Sequence, residues 1–263
     1  MFSINIASNS AEALNHMALG SARVTDMANA HFTLNLSADT NPDLSGLNTT
    51  VTRQSVLPKY DLYKWRVEAY DNSHEFTLNA DDDFVFQEGS FAYVTKCCEF
   101  LKRFEAETGK PTVMGLSGHL GSYSWGDQPK ISKGNPVLGI SRGILFSASA
   151  IDLIKARKFE DTTGENDDLL KTSIVCADGA VIFKRFKAPM LHKKKTSYGK
   201  GKRAWEHLGR ANIANINTVF ELPNSDWYGD THYTRTPKPA YNIVKRQFEE
   251  YQPTADQIWE GMQ

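Results

Sequence analysis

Leu78-Asn79-Ala80-Asp81-Asp82-Asp83-Phe84-Val85-Phe86 sets three adjacent carboxylates where one apolar strand pattern ends and another apolar run begins. Like charges side by side repel, so a fold that keeps them at the mouth of a buried strand needs a counter-charge. A divalent cation is the natural one. Mg2+ and Mn2+ prefer carboxylate oxygen and bind through one or two carboxylates together with substrate phosphates. If the segment stays extended, Asp81 and Asp83 point to one side and Asp82 to the other. Taken alone, Asp-Asp-Asp also reads as a solvated acidic turn, since turns favour aspartate. The flanking pattern decides between the two.

Working outward, Phe2 to Ala7 alternates at period two and reads as a strand. Ser8-Asn9-Ser10 then supplies N-cap chemistry for a helix from Ala11 through Arg23. His31 to Leu36 alternates again and closes on the polar turn from Ser37 to Pro42. A helix is expected from Lys59 to Tyr70, with Leu62, Trp65 and Ala69 at helical spacing, then a strand from Glu75 to Leu78 leading into the acidic run. A helix over Ser90 to Glu107 and a strand over Pro111 to Leu116 follow. Val137 to Ile140 and Gly143 to Phe146 read as strand pieces around Arg142, before a helix from Ala148 to Lys158. Strands alternating with helices predict an α/β sheet whose ligands sit beyond the carboxyl ends of the strands. The polar turns at Ser8, Asp39 and Asp81 all fall at such ends.

The remaining segments carry chemistry of other kinds. Ser117 to Asp127 is rich in Gly, Ser and aromatics, and a loop of that length in a compact domain is commonly functional. Gly164-Glu165-Asn166-Asp167-Asp168 puts carboxylates at the start of a helix, where the helix dipole favours them and where a general base could face a substrate. From Lys184 to Arg203 nine lysines and arginines occur without one acid. That segment suits a diphosphate, a DNA backbone or plain solvent.

Composition bounds the rest. The 263 residues suffice for one large domain, or one domain with an appendage. Thirty basic residues against 31 acidic ones leave the partner to local rather than global charge. Cys97, Cys98 and Cys176 have neither metal-ligand spacing nor an even count, which argues against a disulfide framework. No apolar run reaches the length of a membrane span and the N-terminus lacks a signal-peptide layout, so a cytoplasmic setting without a membrane partner is expected.

Taken together, the chain resembles nucleotide-sugar-dependent glycosyltransferases of the GT-A type. The likeness rests on order and spacing: a strand with a Ser-Asn turn, a second strand ending in an acid, a helix carrying Lys64, and a strand running into Asp81-Asp82-Asp83. It covers residues 1–195 and implies a Rossmann-like mixed sheet flanked by helices as the catalytic domain. Residues 196–263 would form a small helical or irregular extension on the acceptor side. The resemblance implies that Asp81, Asp83 and His192 bind Mn2+ or Mg2+. It further implies that Ala7, Asn9, Asp39, Lys64, Asp82 and Lys195 receive the nucleotide-sugar, a UDP-sugar first among candidates. The Glu-Asp pair that supplies the base in inverting members falls on Glu165-Asn166, with Asn at the base position. A shifted alignment puts Asp167 there, with Asp168 and Glu165 beside it.

On the acceptor side His119, Tyr123, Trp125 and Arg142 are the expected contacts. Small phage enzymes of this type glycosylate hydroxymethylated bases in DNA. The basic segment 184–203, with Trp205, His207, Trp227, Tyr228, His232, Tyr233 and Arg235 after it, is compatible with duplex DNA. A glycan or protein acceptor is the alternative. Two further classes stand beside transfer: a phosphoryl-transfer enzyme or nuclease with two metals on the triple aspartate, and a non-catalytic nucleotide- or glycan-binding module.

Overall fold

The computed structural model describes residues 2–54, 62–70, 73–116, 128–132, 143–160, 162, 167–184, 190–192, 214–222 and 238–263. Its centre is an eight-stranded mixed sheet. β1 (Phe2–Ser8) pairs in parallel with β2 (His31–Ser37) on one side and β4 (Phe76–Ala80) on the other, and β3 (Asn48–Gln54) extends the parallel block beyond β2. β8 (Gly143–Ser147) runs antiparallel between β4 and β6 (Thr112–Gly115). β9 (Val181–Lys184) is parallel to β6, and the short β7 (Lys130–Ile131) closes the edge, giving the order β3-β2-β1-β4-β8-β6-β9-β7. A second, two-stranded sheet pairs β5 (Phe84–Phe86) with β10 (Met190–His192).

Both faces of the large sheet are covered, as a parallel sheet requires. On one face Ile4, Ile6, Phe32, Leu34, Leu78, Leu145 and Phe183 meet α4 (Ser90–Thr108) through Phe100 and Phe104. The last helix, α8 (Lys238–Glu260), reaches the same core: Trp259 is buried and its ring lies 5.8 Å from that of Phe100. Each such aromatic contributes roughly 1.5–3 kcal/mol by leaving water. On the other face Val113, Ile144, Phe146 and Ile182 pack against α5 (Ala148–Ala156) and α6 (Asp167–Ala177), joined by Ile216 and Val219 from a short helix, α7, at 214–219. Nine of the 11 residues of α6 are buried, so it is a central helix and not a surface one.

Two expectations are corrected. The helix read over Ala11 to Arg23 is two short helices, α1 (Ala11–His16) and α2 (Ala18–Arg23), broken at Met17, whose φ of −110° and ψ of −90° are not helical. The break folds the second piece so closely against the first that a Cβ on Gly20 would lie 2.2 Å from the Asn15 carbonyl oxygen. Gly20→Ala therefore lowers the melting temperature, at a cost of about 1–3 kcal/mol, where the same change in a free helix interior would stabilise. Asp81–Asp83 is not extended: Phe84 N–H donates to the Asp81 carbonyl at 3.2 Å, closing a turn, so the alternation expected of the three side chains does not hold. No strand was expected at β3, β5, β7, β9 or β10. The expected helix over Lys59 to Tyr70 is described as α3 (Leu62–Glu68), and the strand pieces at 137–140 lie outside the described residues.

Candidate active site

β2, β1 and β4 are neighbours and parallel, so their carboxyl ends bring Asp39, Ser8 and Asp81 to one edge. Asp39 is exposed, and the Ser37 hydroxyl donating to it at 2.6 Å holds its carboxyl below the usual range. Ala7 is buried in β1, and Asn9 is exposed just beyond the strand. The Ser8 hydroxyl donates to Asp82 at 2.5 Å, tying the acidic turn to the end of β1. Burial, opposed by that bond and aided by the charges of Asp81 and Asp83, pushes the Asp82 carboxyl up to about 6.

Asp81 turns the other way, towards a group the sequence reading did not single out. Arg66 on α3 is buried, and its two terminal nitrogens part: one donates to Asp81 at 2.8 Å, the other to Asp167 at 3.2 Å with Asp168 at 3.7 Å. Lys171, one turn into α6 and fully buried, reaches Asp167 at 2.8 Å and Asp168 at 3.2 Å. One guanidinium thus joins the acidic turn after β4 to the first turn of α6, 86 residues apart in the sequence. Arginine suits the task because its planar fork presents donors in two directions. Burial works against both cations, but Asp167, Asp81 and Asp168 override it at Arg66, and Asp167 leads at Lys171, so each holds its proton more firmly than usual.

Three carboxylates face two cations, leaving one negative charge in excess. The structure places that excess on Asp168. Burial pulls the Asp167 carboxyl up, but Lys171 and Arg66 overcome it and hold it below its ordinary value. Burial and the charge of Asp167 push Asp168 up to about 7. Asp167 keeps 8% of its side-chain surface in contact with solvent and Asp168 keeps 23%. Asp167 is therefore locked in the ion-pair cluster, whereas Asp168 is reachable and poised to exchange a proton near neutrality, the condition for general base work.

Of the other sequence-predicted residues, Lys64 lies on the exposed side of α3. His192 belongs to β10, whose backbone register sets it opposite Phe84, the residue directly after Asp83. Among the described residues no three acidic, His or Cys side chains converge on one point to hold a metal. His119, Tyr123, Trp125, Arg142, Glu165, Asn166, Lys195 and the aromatics of 205–235 lie outside the described residues.

No family model and no curated protein matches the chain. Solved structures do. Staphylococcus aureus TarS 1–349 in complex with UDP superposes with a TM-score of 0.57 at 13% identity, over 96% of this chain and 72% of that one. The same protein with UDP-GlcNAc gives 0.55 at 13%, over 99% and 80%. The mannosyltransferase PcManGT from Pyrobaculum calidifontis, with GDP-Man and Mn2+, gives 0.56 at 11%, over 99% and 74%. The chain shares their fold. At these identities the likeness concerns the α/β architecture and leaves the chemistry to the residues themselves.

Proposed function

We propose that this protein is a metal-dependent glycosyltransferase that moves a sugar from a nucleotide-diphosphate sugar to a hydroxyl acceptor. The observation that carries the proposal is the Arg66 clasp. It brings a turn of three carboxylates and a raised-pKa aspartate together at the carboxyl ends of a sheet. That sheet is shared with structures that hold UDP, UDP-GlcNAc, and GDP-Man with Mn2+.

A divalent ion fits the residues present. The acidic turn offers only hard oxygen donors, and burial, aided by the charges of Asp81 and Asp83, pushes the Asp82 carboxyl up to about 6, a cost that a cation beside it relieves. Asp81 and Asp83 are the residues that would hold the ion, with His192 on the strand paired to β5. Bound there, it supplies positive charge for the leaving diphosphate. Asp39, Ala7, Asn9 and Asp82 line the edge assigned to the nucleotide and sugar. Asp168 takes the proton of the acceptor hydroxyl, and Asp167, Arg66 and Lys171 fix its place. Asp168 and not Asp167 is assigned as base because it is the more accessible of the two and the one whose pKa lies near neutrality.

Thermal melts with UDP, GDP, UDP-GlcNAc and GDP-mannose, each with Mn2+ or EDTA, test the proposal. A ligand at a hundred times its Kd stabilises by about 2.7 kcal/mol. One nucleotide class is expected to do so with Mn2+ and to lose the effect in EDTA. Asp83→Ala should abolish the shift while melting like the parent without ligand. Absence of any nucleotide shift, or a shift indifferent to both EDTA and Asp83→Ala, overturns the reading.

A further inference from the structure

Lys184 is a buried ammonium with no counter-charge among the described residues. It ends β9 with 8% of its surface exposed, and burial alone pulls its pKa down to about 8. No carboxylate pairs with it among the described residues. Lys130 on β7 stands directly opposite it in the antiparallel register, on the same face of the sheet. On the other side its parallel neighbour is Gly115, which projects no side chain into the space beside it. A fold keeps an uncompensated buried cation at a cost, and such costs concentrate where a ligand supplies the missing charge.

The location narrows the ligand. α6 reverses through Asp178 and Gly179 into β9 and packs against it, so the first turn of α6 and the last residue of β9 lie at the same end of the sheet. Lys184 therefore stands on the Asp168 side. From β4, which carries the acidic turn, β9 is the third strand over, about 14 Å at ordinary strand spacing. That is too far to serve the diphosphate next to Asp81.

We infer that Lys184, with Lys130 beside it, forms an oxyanion-binding subsite on the acceptor side, and that the acceptor carries a phosphate group near its reacting hydroxyl. The binding of the anion stands by itself; its assignment to an acceptor rests on the proposed glycosyl transfer.

Melts of the parent, Lys184→Met and Lys184→Arg in EDTA test the subsite, with inorganic phosphate titrated against sodium chloride and sodium acetate at equal ionic strength. Without metal the acidic turn repels phosphate, and Arg66 is already paired, so the part of the response that Lys184→Met removes reports on Lys184 and the remainder on the other cations of 184–203. Phosphate should stabilise the parent beyond chloride and acetate. Lys184→Met should bind phosphate at least about tenfold more weakly, the loss of one charge-assisted hydrogen bond, and should melt higher than the parent in phosphate-free buffer. Lys184→Arg should retain the response. If Lys184→Met does not fold, Lys184→Gln decides by the same readout. A parent that responds to phosphate no more than to chloride, or a Lys184→Met protein that responds as the parent does, overturns the subsite. Should the nucleotide melts fail while the phosphate response holds, the subsite stands and only its link to a sugar acceptor falls.

Discussion

Replacing Arg66 with methionine destabilises the protein by about 3–5 kcal/mol in mildly alkaline buffer, the usual cost of removing one partner from a buried ion-pair cluster. Asp167 and Asp168 then keep only Lys171, and Asp81 loses its ion pair with Arg66. The pH dependence separates this from mere lost packing. Asp167 has a folded pKa below its ordinary value, so its pairing contributes stability above the unfolded pKa and loses it as pH falls through the folded one. Without Arg66 the carboxylates move up, and their charge opposes folding above the unfolded value of about 3.9. The deficit of Arg66→Met is therefore largest in alkali and shrinks as the buffer is taken down to about pH 5. Urea melts of both proteins at the two pH values check this, and an equal deficit at both means that Arg66 acts as filler. Arg66→Lys recovers only part of the stability, because a single ammonium cannot reach towards Asp81 and Asp167 with separate, divergent donors.

Arg66 was within reach of the sequence. Tyr63, Arg66 and Tyr70 fall at i, i+3 and i+7, and all three are buried. The reading from Leu62, Trp65 and Ala69 passed over this stripe because hydrophobicity alone discounts a cation on an inner face. The parallel block was legible for the opposite reason: β1, β2 and β4 bury Ile, Leu and Phe at every second position, which periodicity detects. The intervening Asn5, Asn35 and Asn79 are buried too, with the Asn35 amide donating to Asn5 at 3.3 Å, a two-sided burial that alternation reads as solvent. β3 is a polar edge strand, and only its run of threonines, favoured in strands, marked it. Lys171 was illegible. Its charge repeats nothing in its surroundings, and only the meeting of α3 with α6 gives it carboxylates to neutralise.

Asp168→Asn lowers the turnover of the nucleotide-sugar identified by the melts by about 10²–10⁴-fold, the range for removing a general base, and raises the melting temperature at the same time. Both effects follow from one cause. The folded chain holds the Asp168 pKa at about 7, above the unfolded value, so its charge works against folding at any pH above the unfolded pKa. An amide of the same shape removes that charge and with it the repulsion from Asp167. The parent's kcat/KM should climb with pH through a midpoint near 7, as Asp168 loses its proton, and the residual activity of Asp168→Asn should lack that limb. Asp167→Asn behaves differently. It takes away the anion that Arg66 and Lys171 both grip, so it destabilises the fold, and whatever activity survives keeps a rising limb. Nucleotide release followed across pH for the three proteins, with melts of each, distinguishes the two aspartates. A parent-like rate from Asp168→Asn removes it as the base, and a stabilised Asp167→Asn shows that the cluster is not held together as these distances require.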